Sequence, residues 1–247
     1  MITPETGTAA APLEQPLLPV PAHPIEGDPD MATAESTDAR ASPDLEPASR
    51  RRGSEPADPG GRSADPGAWA VTAFATTSFM LGMYNTGLID KAGAAIVIPV
   101  AFFFGGLIQI IVAILEIQRG NLFGAAVFGT YGPFWVIFAA IQTLFASTVP
   151  AATLSSGLCL FLAMFAVITA YLFVASLRTD AVLAVILALI FIGLVLLAIG
   201  EGTGSGAATL AGGWVTLAFA VLAWYHAASD IVAGTFGRRL LPVGPLT

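Results

Sequence analysis

From Trp69 onward, long apolar runs alternate with short polar links. Six runs approach the roughly 20 residues that a helix needs to cross a bilayer. They lie at about 69–88, 94–116, 128–148, 154–176, 180–200 and 209–232. The runs are continuous, whereas the strands of a membrane barrel alternate apolar and polar residues. The pattern therefore predicts an all-α integral membrane protein, with six transmembrane helices in one bundle.

Residues 1–66 differ in composition from the rest of the chain. They contain 12 of the 17 prolines and 12 of the 17 acidic residues, and almost no aromatic residues. A segment of this kind cannot bury enough apolar surface to offset the entropy lost on ordering. We predict a disordered, acidic, Pro-rich cytoplasmic tail at 1–66 and a six-helix transmembrane domain at 67–247.

The basic residues of the membrane domain and its N-terminal flank are unevenly placed. With six spans, Lys91 lies at one side of the membrane, and five arginines lie at the side of the N-terminus. These are Arg62, Arg119, Arg178, Arg238 and Arg239. Because basic loops stay in the cytoplasm, both termini are expected to be cytoplasmic in a multi-pass protein of the cell membrane.

Several functional classes find no support in the sequence. No basic, aromatic-rich patch suggests nucleic-acid binding, and the single cysteine, Cys159, cannot form a disulfide framework or a zinc site. Motifs of metalloproteases, serine hydrolases and phosphate loops are missing. We therefore expect no enzymatic activity, no metal and no cofactor, which leaves solute passage or a structural role in the membrane.

The stretch 104–138 joins two apolar runs through a short, glycine-rich polar link. This link contains Glu116, Arg119 and Asn121, and unpaired polar groups are costly in lipid. One interpretation is a tight turn between packed helices, in which these three residues form a polar latch. The other is that the turn and its flanks line a solute path, since the mid-helix Gln109 needs a polar partner or water.

His226 and Asp230 are spaced four residues apart in the last apolar run, so one helical face presents both. Because histidine titrates near neutral pH, the two are a candidate proton pair. The alternative, which we favour, is an interfacial pair near the cytoplasmic end.

Three segments resemble a known family. The stretch FGGLIQIIVAILEIQRGNLFGAAVFGTYGPFW at 104–135 is similar to the signature of the acetate uptake transporter (AceTr) family, which includes bacterial succinate–acetate permeases. FGRRLLPVG at 236–244 resembles the C-terminal motif of that family, and LLAIGE at 196–201 resembles the end of its fifth helix. The family motif NPAPLGL corresponds to DPGAWAV at 65–71, which keeps only the proline.

The resemblance implies a homohexamer of six-helix protomers, each with its own central path. It places a hydrophobic constriction at Phe74, Tyr131 and Ile190. Polar residues beside the constriction would contact the solute, and they are Thr77, Asn85 and Gln109.

The resemblance and the residues together indicate transport of small monocarboxylates. No lysine or arginine lies in the middle of a predicted span, so the anion should bind weakly and cross with a proton. A passive channel would use the same constriction, and a non-transporting protein that signals through its tail is a further alternative. The sequence leaves open acetate or succinate as the preferred solute and uptake or export as the direction.

Overall fold

The computed structural model describes residues 64–246, so the predicted tail lies outside the described residues except for its last three positions. Six helices follow one another along the chain. They are α1 (Gly67–Asn85), α2 (Lys91–Gln118), α3 (Leu122–Phe145), α4 (Ala151–Ser176), α5 (Ala181–Thr203) and α6 (Gly206–Phe236). No strand is formed within residues 64–246, although Asp180 and Pro245 form an isolated bridge.

Five of the helices, α2 to α6, are long and apolar enough to cross a membrane. Helix α1 falls below that level because hydroxyl residues occupy much of its middle. Three of these residues donate to a carbonyl oxygen one turn back, at 2.8–2.9 Å: Thr72, Thr76 and Thr77. The membrane character predicted from the sequence is thus confirmed for five helices, and α1 satisfies most of its hydroxyls within its own backbone.

Most predicted helix starts were too late, by two to six residues, and polar caps account for two of them. Helix α3 starts at Leu122 instead of about 128, because Asn121 caps it by accepting a hydrogen bond from the N–H of Gly124 (3.0 Å). Helix α2 starts at Lys91 instead of 94, where Asp90 accepts from the N–H of Ala92 (2.9 Å). Hydrophobicity alone does not reveal these polar caps as parts of helices.

Helices α2 and α3 touch through glycine. A Cβ atom added to Gly132 would lie 2.9 Å from the backbone nitrogen of Ile110 and 3.0 Å from the carbonyl oxygen of Gly106. Any side chain larger than hydrogen would therefore push the two backbones apart. The turn between these helices also requires glycine, because Gly120 has a φ of 73°.

The other helices complete the bundle around an aromatic core. Helix α1 packs on α2 and α6, and α5 packs between α4 and α6. The largest buried cluster includes Phe74, Tyr131, Phe134, Trp135 and Phe219, which come from α1, α3 and α6. The core of the bundle is thus aromatic near its centre.

After α6 the chain turns at Gly237 (φ 67°) and returns to the start of α5. The carbonyl oxygen of Gly244 accepts from the N–H of Ala181 (2.7 Å), and the N–H of Leu246 donates to Thr179 (3.0 Å). The C-terminal segment is therefore fixed to the bundle at the end where α5 begins.

Replacing Gly132 by alanine should destabilise the bundle by about 1–3 kcal/mol, because the added methyl group meets backbone atoms that cannot move aside. Thermal unfolding in detergent measures the effect. The matched control is Gly157→Ala in α4, where nothing lies within 4 Å of an added Cβ; its stability should stay the same or rise. Equal melting temperatures for Gly132→Ala and the unchanged protein would contradict the close packing.

Candidate functional site

The bundle contains a cavity of about 420 Å³ to which all six helices contribute side chains. It reaches the end of the bundle where α1 ends and α2 begins, and the exposed Gln142 lies on its wall there. Its wall is mainly apolar with a few polar groups, as is typical of sites for small molecules.

The inner end of the cavity is closed by four buried apolar side chains: Phe74, Tyr131, Ile190 and Phe219. They come from α1, α3, α5 and α6, respectively. In its own helix, each one is the lining residue farthest from the open, outer end of the cavity. The ring centroid of Phe74 lies 5.3 Å from that of Tyr131 and 5.7 Å from that of Phe219. The structure thus brings the three predicted constriction residues to one place and adds Phe219, which had no distinguishing signal in an apolar helix.

The hydroxyl of Tyr131 is held by a short chain of hydrogen bonds. Thr169 in α4 donates its hydroxyl proton to the carbonyl oxygen of Phe165 (2.7 Å), so Tyr131 donates to the Oγ1 of Thr169 (2.9 Å). This orients the tyrosine ring at the inner end of the cavity. Thr169 was not identified from the sequence, because threonine inside an apolar run usually bonds its own helix.

The three predicted polar contacts have different positions. Asn85 lines the cavity near its outer end, whereas neither Thr77 nor Gln109 does. Thr77 donates to the carbonyl oxygen of Ala73 (2.9 Å), and Gln109 donates to that of Gly105. The structure therefore does not place Thr77 and Gln109 against the path, because each is satisfied by the backbone of its own helix.

Two other residues of the cavity wall carry polar groups. Ser78 and Trp135 line it and are 1% and 3% exposed. The hydroxyl of Ser78 and the indole N–H of Trp135 are buried without a hydrogen-bond partner among the described residues. Leaving such a group unsatisfied costs about 1–3 kcal/mol, so both are candidate donors to a polar ligand in the cavity. In the sequence, Trp135 stands in the GPFW motif and Ser78 directly follows Thr77, and these positions were the available indications of a role for the two residues.

Comparison with known proteins identifies the family. The GPR1/FUN34/yaaH family model matches residues 54–246. The chain belongs to the GPR1/FUN34/yaaH family. This confirms the resemblance to acetate uptake transporters, and it confirms a transport protein rather than an enzyme.

Individual members of the GPR1/FUN34/yaaH family are similar over most of the chain. The succinate-acetate/proton symporter SatP of Escherichia coli K12 is 30% identical over 181 residues, which cover 73% of this chain and 95% of the symporter. Acetate permease A of Emericella nidulans is 30% identical over 195 residues, covering 73% of this chain and 65% of the permease. A solved structure of the bacterial acetate channel SatP matches with a TM-score of 0.69 at 30% identity, covering 74% of this chain and 100% of that one.

In this family member, the α2–α3 turn brings together Glu116, Arg119 and Asn121. The Nδ2 of Asn121 donates to the Oε2 of Glu116 (2.7 Å), and the Nε of Arg119 lies 3.9 Å from the same oxygen. Arg119 also lies 3.7 Å from a carboxylate oxygen of Asp65, just before α1. None of the three predicted latch residues lines the cavity, and their structural role stays a prediction.

His226 and Asp230 lie at the opposite end of the bundle from the mouth of the cavity and do not line it. The Nε2 of His226 lies 3.0 Å from Asp180, and its Nδ1 lies 3.4 Å from Asp230. Asp230 in turn accepts from Arg239 (2.9 Å) in the C-terminal segment. These contacts favour an interfacial network, and they connect α5, α6 and the C-terminal segment.

Asp180 is the carboxylate at the centre of that network and also caps α5. Burial alone would raise its pKa, but hydrogen bonds from His226 and from the N–H of Leu183, with the nearby positive charges, hold the pKa below its usual value. Within residues 64–246, no cluster of histidine, cysteine and acidic side chains is suited to hold a metal ion.

Proposed function

We propose that the chain carries acetate and related small monocarboxylates across the membrane through its cavity. The observation that carries this proposal is a cavity that ends at a ring of buried apolar side chains and has two unpartnered donors in its wall. The names of the relatives agree, since one is called a succinate-acetate/proton symporter and another an acetate permease. Succinate is a further candidate solute on the same ground.

We further propose that α1 crosses the membrane with the other five helices. Its 19 residues are close to the length needed, and its threonines are satisfied internally. Six spans place both termini on one side, and the excess of arginine there favours the cytoplasm of a cell membrane.

A homohexamer in the bilayer is also part of the proposal. The outer face of α4 presents large apolar side chains at helical spacing, which suits contact with lipid or with another protomer. These exposed residues are Leu160, Met164, Val167, Tyr171 and Val174. The resemblance to acetate uptake transporters supports the hexamer.

The chemistry of acetate fits the two ends of the proposed path. Its carboxylate accepts hydrogen bonds, and Ser78 and Trp135 each supply a buried donor. Its methyl group is small and apolar, so it can pass between the apolar side chains at the inner end of the cavity, which include Phe74 and Tyr131. Among the described residues, no lysine or arginine lines the cavity, so the anion is bound weakly and released readily.

Proton coupling follows from the cost of moving a charge through that ring. An unpaired carboxylate in an apolar, dewetted constriction loses its hydration without compensation. Acetate that crosses with a proton, as acetic acid, avoids most of this cost. The transport step is therefore coupled to proton movement in the same direction.

Replacing Ser78 by alanine should raise the KM for acetate about tenfold or more, because a hydrogen bond to a charged group contributes about 1.5–3 kcal/mol. Uptake of labelled acetate into proteoliposomes measures it. Thr77→Val is the matched comparison, since Thr77 is adjacent but does not line the cavity, and its KM should stay unchanged. If the KM rises for Thr77→Val and stays unchanged for Ser78→Ala, then Thr77 and not Ser78 contacts the solute, and the proposed contact is wrong.

An inward proton gradient should accelerate labelled acetate uptake into proteoliposomes well beyond its effect on protein-free vesicles. The protein-free vesicles are essential, because acetic acid crosses lipid unaided. Equal uptake with and without the gradient, after that correction, would refute coupling. Single-channel currents carried by acetate would instead establish the passive channel.

A further inference from the structure

Glu201 is the only formally charged side chain among the described residues that line the cavity. It lies in the last turn of α5 and is half-buried. Within residues 64–246 it makes no hydrogen bond and no ion pair, so none of the described groups neutralises it. A solute entering the cavity therefore meets one uncompensated carboxylate.

The packing of α5 on α6 places Glu201 at the outer end of the cavity. A Cβ atom added to the preceding Gly200 would lie 3.1 Å from the backbone nitrogen of Thr209, so the two helices are in close contact here. Helix α5 then ends at Gly204, which has a φ of 68°. Asn85, Gln142 and Thr209 line the same region and supply polar but uncharged groups.

Other charged groups at this end lie outside the cavity wall. Asp90 and Lys91, at the start of α2, are both exposed, and neither lines the cavity. Since these two have opposite charges, they largely cancel at a distance. The field inside the mouth is therefore set mainly by Glu201.

A charge at the mouth of a cleft with apolar walls acts strongly on incoming solutes, because the walls concentrate its field. The effect depends on the charge of the solute. A neutral acid feels no repulsion from this charge. A monoanion is repelled, and the repulsion energy of a dianion is twice that of a monoanion. The local concentration of a solute depends exponentially on its repulsion energy. The factor by which the concentration of a dianion falls is therefore the square of the factor for a monoanion.

We propose that Glu201 is a charge filter that makes this path select monocarboxylates over dicarboxylates. The carboxylate lowers the local concentration of acetate moderately and that of doubly ionised succinate severely. Protonated monocarboxylic acids enter without this penalty. The inference rests on the proposed function, and it adds a residue that determines specificity for that same path.

The test compares initial uptake of labelled acetate and labelled succinate in proteoliposomes at about pH 7.5, where free carboxyl groups are ionised. Glu201→Gln should raise succinate uptake more than acetate uptake at low salt, so that the succinate-to-acetate ratio rises roughly threefold. High salt should reduce the difference. The double variant Asp90→Asn with Lys91→Gln removes the cancelling pair at the same end but outside the cavity, and it should leave the ratio unchanged.

The outcomes separate this inference from the proposed function. If the unchanged protein carries acetate but Glu201→Gln leaves the ratio as it was, the filter is refuted while transport stands. Glu201→Asp keeps the charge and should keep the original ratio; a rise matching that of Glu201→Gln would show that shape matters instead, and would also overturn the filter. If the unchanged protein carries neither solute, the proposed function fails and the inference fails with it.

Discussion

Inside a bilayer no water is available to satisfy polar groups, and this constraint explains most polar contacts of the structure. Thr72, Thr76 and Thr77 donate to their own helix, and Glu116 accepts from Asn121 at the α2–α3 turn. Few buried side-chain polar atoms of residues 64–246 lack a hydrogen-bond partner, and two of them belong to Ser78 and Trp135 in the cavity wall. A membrane protein keeps such groups at a cost, and a ligand that accepts hydrogen bonds offsets that cost.

The aromatic ring of the cavity depends on glycine packing between neighbouring helices. Gly106 and Gly132 bring α2 and α3 into backbone contact, and the residue next to Gly132, Tyr131, has its ring against Phe74 of α1. Phe74 and Phe219 then meet the tyrosine ring from the neighbouring helices. The constriction therefore depends on small residues that lie outside it, and a change at those glycines should disturb the path from a distance.

Hydrophobic patterning could predict the six helices, because each run approached the length of a span and was mainly apolar, although α1 is less apolar than the other five. It missed the polar first turns, such as the one that Asn121 caps, since a cap is part of a helix but not of an apolar run. The resemblance placed Phe74, Tyr131 and Ile190, which the structure brings to one cavity. Polar contacts were harder to predict, because helix period and rotamer decide whether a side chain bonds its own backbone, as Thr77 does, or stays without a partner beside the cavity, as Ser78 does.

The central claim is that solute passes through the ring at Phe74 and Tyr131, and its most direct test is the size limit of uptake. In proteoliposomes, Tyr131→Ala should admit labelled butyrate and raise the butyrate-to-acetate uptake ratio, because removing the ring widens the constriction. Tyr171→Ala makes the same substitution at an exposed position on α4 and should leave that ratio unchanged. An unaltered ratio in Tyr131→Ala, with acetate uptake intact, would contradict a path through this ring.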